Sequence, residues 1–355
     1  MNAPAVQHPR LPVDLITGFL GSGKTTLINA VLRDPAFAQS MVIVNEFGSI
    51  GLDHLLISSA EDNVVLLESG CLCCAASGSL RDTLIDLFAS RTSARVPDFK
   101  RIIVETSGLA HPAPLLATLL SDSAVTQRCE LSKVVTLVDA ALGFETLTRY
   151  VEARRQVGFA DRLVISKTDT ATTKAITTLR AQLGQINGHA DVVHWQQGQP
   201  AAPILTAKAP VVRPVPAPAA WLRGPLRAQY ADDAVANEQD ADAHGAAFAQ
   251  VSSKVLHIDA AMCWQQYALL TSTLTQRFGR RVLRCKGLVA IADDARRWVV
   301  QGVQGHFSAP TPLAHSHASP KNSYLVCILE SVTQDEWDDV AVLLSSSIEA
   351  LSHNP

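Results

Sequence analysis

An α/β fold is predicted, with a mostly parallel sheet flanked by helices and a smaller C-terminal α+β domain. Three observations predict it. The first is a series of apolar, strand-like runs ("MVIVN", "NVVLLE", "RIIVE", "KVVTLVD", "RLVIS", "DVVHW") alternating with helix-like segments. Strands that read as near-continuous apolar runs belong to parallel sheets covered on both faces. The second is a glycine-rich loop, "GFLGSGKT" at 18–25, between the strand-like "VDLIT" and the helix-like "TLINAVLRD". The third is a break in composition at 197–220, dense in Pro and Ala, followed by the acidic "DDAVANEQDADAHG". That stretch reads as a linker. The expected organisation is a first domain over 1–198, a linker over 199–250 and a second domain over 251–355.

Composition narrows the function classes. The 355 residues are 47% apolar and 18% charged, with a net charge of −3. This describes a globular chain, with no basic block that would call for nucleic acid or an anionic membrane. The apolar N-terminal run "LPVDLITGFL" is too short to span a bilayer and carries Asp14 in its middle. A cytoplasmic, reducing location is therefore expected, where the seven cysteines are thiols. Oligomeric state, monomer or homo-oligomer, is open.

The loop at 18–25 matches G-x-x-x-x-G-K-[ST] in the strand–loop–helix setting that gives the match its meaning. Gly18, Gly21, Ser22 and Gly23 would let backbone N–H groups wrap phosphate oxygens at a helix N-terminus. Lys24 would neutralise the β- and γ-phosphates, and the Thr25 hydroxyl would ligate Mg²⁺, with Thr26 beside it. A second mark is "RIIVETSG", an apolar run ending on Glu105 with Gly108 three residues on. A carboxylate at a C-terminal strand end faces the ligand crevice and can reach Mg²⁺, as a Walker-B acid does. The third is "RLVISKTD", where Lys167 and Asp169 stand as in N-K-x-D with Ser166 in place of Asn. Its carboxylate would accept hydrogen bonds from guanine N1–H and the exocyclic amine, which adenine cannot supply.

Cys71, Cys73 and Cys74 lie within "ESGCLCCAASG". Taken alone they allow buried packing, a redox pair at Cys71 and Cys74, or a thiolate site for Zn²⁺ or another thiophilic ion. Packing is the expectation for Cys129, Cys263, Cys285 and Cys327.

"GFLGSGKTTLIN", "VNEFGSIGLD", "ESGCLCC", "ETSGLAHPAP" and "SKTD" follow one another as in the CobW-like metal-chaperone GTPases. That family is part of the P-loop class that includes the urease and hydrogenase nickel-insertion GTPases. The resemblance covers most of the first two hundred residues and resumes over 281–307, which resembles the family's C-terminal domain. It implies GTP hydrolysis to GDP coupled to handling of a divalent transition metal, zinc or cobalt, held at Cys71, Cys73 and Cys74 for a metal-requiring client protein. It also implies Lys24, Glu105 and Glu46 as the catalytic set, and Thr25, Glu105 and Asp53 around Mg²⁺. Gly108 becomes the neighbour that senses the γ-phosphate, and Lys167 and Asp169 the guanine readers. The chain departs from the family pattern at Ser49 and Ser69, and keeps only His244 where relatives carry a histidine-rich loop. A metal sensor or buffer with incidental GTPase activity, and a thiol-redox switch, are the competing readings.

From 251 onward the order strand, helix, two or three strands, strand, helix is expected, with helices on one face of the sheet. Trp264, Trp298 and Phe307 are expected in core or interdomain packing.

Overall fold

The computed structural model describes residues 10–45, 64–66, 75–207, 226–230, 251–258, 261–292, 294–313 and 322–352. Glu46, Asp53, Cys71, Cys73, Cys74, Ser49, Ser69 and His244 lie outside them.

The first unit runs β1 (Leu11–Gly18), α1 (Lys24–Leu32), β2 (Ser40–Asn45), β3 (Val64–Leu66), α2 (Ala75–Thr92) and β4 (Arg101–Thr106). It continues with α3 (Ala113–Ser121), α4 (Ser123–Thr126), β5 (Cys129–Asp139), α5 (Gly143–Arg149) and α6 (Val151–Phe159). β6 (Arg162–Ser166), α7 (Thr173–Ile186), β7 (Asp191–Trp195) and α8 (Ala202–Thr206) complete it. The strand order is β3-β2-β4-β1-β5-β6-β7, and every pairing is parallel. β1 is therefore central, with β4 on one side and β5 on the other.

Alternation along each strand supplies two cores. Val13, Leu15, Val104 and Leu163 face one layer of helices, while Ile16, Ile103, Leu137 and Val164 face the other with α1 and α8. Asp14 falls on a fully buried position of β1. Its carboxylate is paired with Arg101 of β4, whose guanidinium lies 4.8 Å over the Phe37 ring. Burial raises the Asp14 carboxyl, and the Arg101 charge opposes that shift.

The second unit comprises β8 (Leu226–Tyr230), β9 (Val251–Ile258), α9 (Trp264–Phe278), β10 (Val282–Ala290) and β11 (Arg297–Val303). β12 (His306–Phe307), β13 (Thr311–Pro312), β14 (Ser323–Glu330) and α10 (Gln334–Ser352) follow. Its antiparallel sheet has the order β12-β11-β10-β14-β9-β8, with β13 against β11. Leu256, Cys285, Leu325, Cys327 and Leu329 point to α9 and α10, where Trp337 is buried against the Phe278 ring. The alternate residues, Val255, Leu283, Val326 and Ile328, are buried in the core of the first unit. The second sheet thus has its own helices on one face and the first unit on the other. Both faces are apolar, as a doubly covered sheet requires.

Two parts of the stretch read as linker form regular elements. α8 packs Ile204 and Leu205 into the first unit, and its carbonyls accept from Lys133 and Arg162. β8 extends the second sheet. The cysteine expectation holds for Cys129, Cys285 and Cys327, all buried, whereas Cys263 is half-exposed at the start of α9. Burial pushes the Cys129 thiol up to about 12. Trp264 departs from the expected packing, with 45% of its surface exposed. It stands edge-on to Trp298 at 5.1 Å on the outer rim of α9, where a first-turn residue projects past the sheet.

The two units are clasped by Asp161. Both of its carboxylate oxygens accept from Arg284 at 2.8 Å, Lys286 reaches Oδ1 at 2.8 Å, and the Val134 N–H adds 2.9 Å. Arg284 also donates to the Phe159 carbonyl. These charges hold the Asp161 carboxyl well below the ordinary aspartate value of 3.8, against its burial. Its contribution to stability is therefore complete above that value, begins to fall below it, and is lost as pH drops through the lower folded-state value. Asp161→Asn strands the buried Arg284 and the half-buried Lys286 and is expected to cost about 3–5 kcal/mol at pH 7. Denaturant melts of wild type and variant should converge as the pH is lowered below 3.8. A gap that is constant with pH would contradict this account.

Candidate nucleotide site

The parallel sheet brings four strand ends together. β1, β4, β5 and β6 end on Gly18, Thr106, Asp139 and Ser166, so the residues that follow them meet above one edge. In open parallel sheets this is where ligands bind.

The phosphate loop leaves β1 at Gly18 and enters α1 through Gly23, whose φ of 94° is one that side-chain-bearing residues rarely adopt. The loop is closed by Ser22 N–H to Phe19 O at 3.1 Å, and α1 begins with Leu27 N–H to Gly23 O at 2.9 Å. Lys24 is buried and turned back over the loop, its Nζ 3.1 Å from Gly18 O and 3.4 Å from Phe19 O. An ammonium, the backbone of the glycine-rich loop and the positive end of α1 converge on one cradle. Thr26 sits half-buried in the first turn of α1.

Glu105 is buried at the end of β4 and accepts from the Thr25 hydroxyl at 2.9 Å. A hydroxyl and a carboxylate side by side are hard oxygen donors. They suit Mg²⁺, which keeps oxygen ligands and shares them with phosphates. Beyond them, Thr106 donates to Thr17 at 2.8 Å and stitches β4 to β1.

Gly108 follows the acid. A Cβ there would lie 2.7 Å from Leu20 N and 2.8 Å from Leu20 Cα, so the loop after β4 presses directly on the phosphate-loop backbone. Gln156 of α6, itself buried, fixes this loop by donating to Gly108 O at 3.0 Å and Ala110 O at 3.1 Å.

The SKTD segment closes the far side. Ser166 donates to Ser22 O at 2.7 Å, so the hydroxyl standing in place of Asn ties the SKTD segment to the phosphate loop. Lys167 has a φ of 54°, left-handed for a residue with a side chain. Its ammonium pairs with Asp139 at 2.8 Å. Asp139 is held in turn by the N–H groups of Ala141 and Leu142, at 2.8 and 3.0 Å, and these contacts and Lys167 set its carboxyl below the ordinary range despite burial. Asp169 is exposed in the turn Thr168–Thr170. A cavity of about 190 Å³ lies behind the phosphate loop, lined by Phe19, Leu20, Leu142, Gln156, Asp139 and Lys167.

Of the residues singled out in the sequence, Gly18, Gly21, Ser22, Gly23, Lys24, Thr25, Thr26, Glu105, Gly108, Lys167 and Asp169 converge on this edge. Sequence reasoning missed Asp139 and Gln156. Asp139 could have been found, because "KVVTLVD" ends on a carboxylate just as "RIIVE" does. Gln156 gave no signal, since a glutamine in a short helix reads as surface.

Residues 12–194 match the family model described as "CobW/HypB/UreG, nucleotide-binding domain", and 251–340 match "Cobalamin synthesis protein cobW C-terminal domain". The chain is 30% identical to the zinc chaperone YjiA of Escherichia coli over 305 residues, 84% of this chain and 88% of that one. It is also 30% identical to the zinc chaperone CobW of Pseudomonas aeruginosa over 228 residues, 55% of this chain and 59% of that one. The crystal structure of Zn(II)-bound YjiA GTPase from E. coli superposes with a TM-score of 0.62 at 22% identity, covering 95% of this chain and 99% of that one. That likeness establishes a shared fold.

Gly108→Ala is expected to displace the phosphate loop at a cost of about 1–3 kcal/mol. Titration calorimetry with GDP should register it as weakened binding, and wild-type affinity in the variant would refute the close approach. From its two matched models and its similarity to YjiA, the chain belongs to the CobW/HypB/UreG family.

Proposed function

We propose that this chain is a GTPase and metallochaperone. It takes up a divalent transition metal, zinc first and cobalt second, at Cys71, Cys73 and Cys74, and hands it to a client protein in step with its nucleotide state. The observation that carries the proposal is the register of β2 on β4. Val44 lies opposite Glu105 and Asn45 opposite Thr106, so the segment leading to the cysteines departs beside the acid that pairs with Thr25. In sequence Cys71 follows β3 by five residues, and Cys74 directly precedes α2. Relatives named zinc chaperones support zinc as the cargo. Three thiolates suit such an ion and are poor ligands for Mg²⁺.

In this reading the amides of the phosphate loop hold the β- and γ-phosphates, and Lys24 donates to their oxygens. Thr25 and Glu105, with Asp53, hold Mg²⁺, which would neutralise phosphate charge. Glu46 completes the catalytic set. Asp169 accepts from the guanine N1–H and amine, and the Lys167 stem packs on the base. Release of metal follows if GTP and GDP favour different arrangements of the cysteine segment, since a ligand shifts only an equilibrium it binds unequally. A thiolate site of this kind belongs in the cytoplasm. Among the described residues no helix is long and apolar enough to cross a membrane.

Zn²⁺ titrations with a GTP analogue, with GDP and without nucleotide test the proposal, using the Cys71→Ser/Cys73→Ser/Cys74→Ser variant as control. Affinity is expected to differ by about 5- to 150-fold between nucleotide states, the usual span of allosteric coupling. Equal affinities in all three would sink it.

A further inference from the structure

From the geometry around β5 we infer that Asp139 is a positioning residue for base selection. Its carboxylate pins the Lys167 ammonium, so that the lysine's four-carbon stem lies fixed as one wall of the guanine pocket. The inference rests on the reading of Lys167 and Asp169 as base readers. Asp139 is suited to the task because it is itself immobile. Its Oδ1 accepts from two consecutive turn amides, leaving Oδ2 to meet Lys167 Nζ at 2.8 Å. The side chain of Asp139 is 12% exposed and that of Lys167 is 44% exposed, so a buried anchor holds a partly open arm. The Lys167 backbone is fixed as well. Its carbonyl accepts from the Thr170 N–H at 3.0 Å and the Thr170 hydroxyl at 2.8 Å. Next to it, Ser166 is bound to the phosphate loop.

An unpinned lysine samples many rotamers and must give them up when a base stacks on its stem. Pinning it beforehand removes that cost from binding, and the gain goes to guanine, which Asp169 holds over the stem, and not to adenine, which offers Asp169 no N1–H. A lysine in this place with no carboxylate at the end of β5 would present a mobile charge.

Asp139→Asn preserves size and can still accept from both turn amides, but it removes the charge that holds Lys167. Lys167→Met keeps the stem, loses the ammonium and tests the pair from an exposed position that folding tolerates. Each is expected to raise KM for GTP about three- to fivefold, the range of a partly exposed ion pair, with kcat changed less than twofold. The preference for GTP over ATP should narrow by the same factor, and the double variant should lose no more than either single one. Asp169→Ala serves as the control for base reading. If Asp139→Asn lowers the melting temperature while the GTP-to-ATP preference stays at wild type, Asp139 is only a structural staple and the inference is overturned. If Lys167→Met narrows the preference and Asp139→Asn does not, it is overturned as well. If Asp169→Ala also leaves the preference unchanged, the base-reading assignment itself fails, a result distinct from the other two.

Discussion

The position of β1 governs the rest of the molecule. A strand that must deliver a phosphate loop at its C-terminal end has both edges occupied, by β4 and by β5. Parallel pairing sets the ends of all these strands on one side. The acid that meets Thr25 then arrives from β4, the anchor of Lys167 from β5, and the base segment from β6, without any long loop. The phosphate loop is therefore held from two sides, by β4 with the loop after it and by β6. Gly108 is held against it by a contact that admits no side chain, and Ser166 by a hydrogen bond to Ser22.

Burying such a strand has an electrostatic consequence. Asp14 sits fully buried in β1, where an isolated carboxylate would be expensive, and Arg101 from the next strand answers it. The same logic is repeated at larger scale between the units, where Asp161 gathers Arg284 and Lys286. α6 lies between these two regions. Gln156 holds the loop after Glu105, while its neighbour Arg155 donates to Glu330 of β14 at 2.6 Å. Two residues later, Gly158 packs so closely that a Cβ would sit 3.0 Å from Ile328. One short helix thus touches both the nucleotide edge and the second sheet.

Much of this was legible in the sequence because period and punctuation coincide. Six apolar runs became β2 to β7, and "GFLGSGKT" became the loop between β1 and α1. Glu105, Lys167 and Asp169 could be located at strand ends on the edge where ligands bind, since that rule needs no tertiary information. What the sequence withheld were groups defined by a partner far along the chain. Asp161 reads as an ordinary aspartate before a strand, and only the fold brings Arg284 to it from 123 residues away. Gln156, bonded to carbonyls 46 and 48 residues away, is of the same kind. The linker was misjudged in part for the opposite reason. Pro and Ala density predicts extended backbone, but α8 is stabilised by Lys133 and Arg162 holding its last carbonyls, a contribution that local composition cannot express.

Position 166, where N-K-x-D has Asn, carries Ser, and its hydroxyl joins the SKTD segment to the phosphate loop. The group bonded from this place is the phosphate-loop carbonyl of Ser22. A serine hydroxyl at the very end of β6 meets it at 2.7 Å because β6 runs beside β5, which itself borders β1. Pinning the lysine falls separately to Asp139, on the neighbouring strand, so phosphate-loop attachment and lysine placement rest on two different residues. Removing the Ser166 hydroxyl would therefore free the SKTD segment from the phosphate loop while leaving the pair of Lys167 with Asp139 in place.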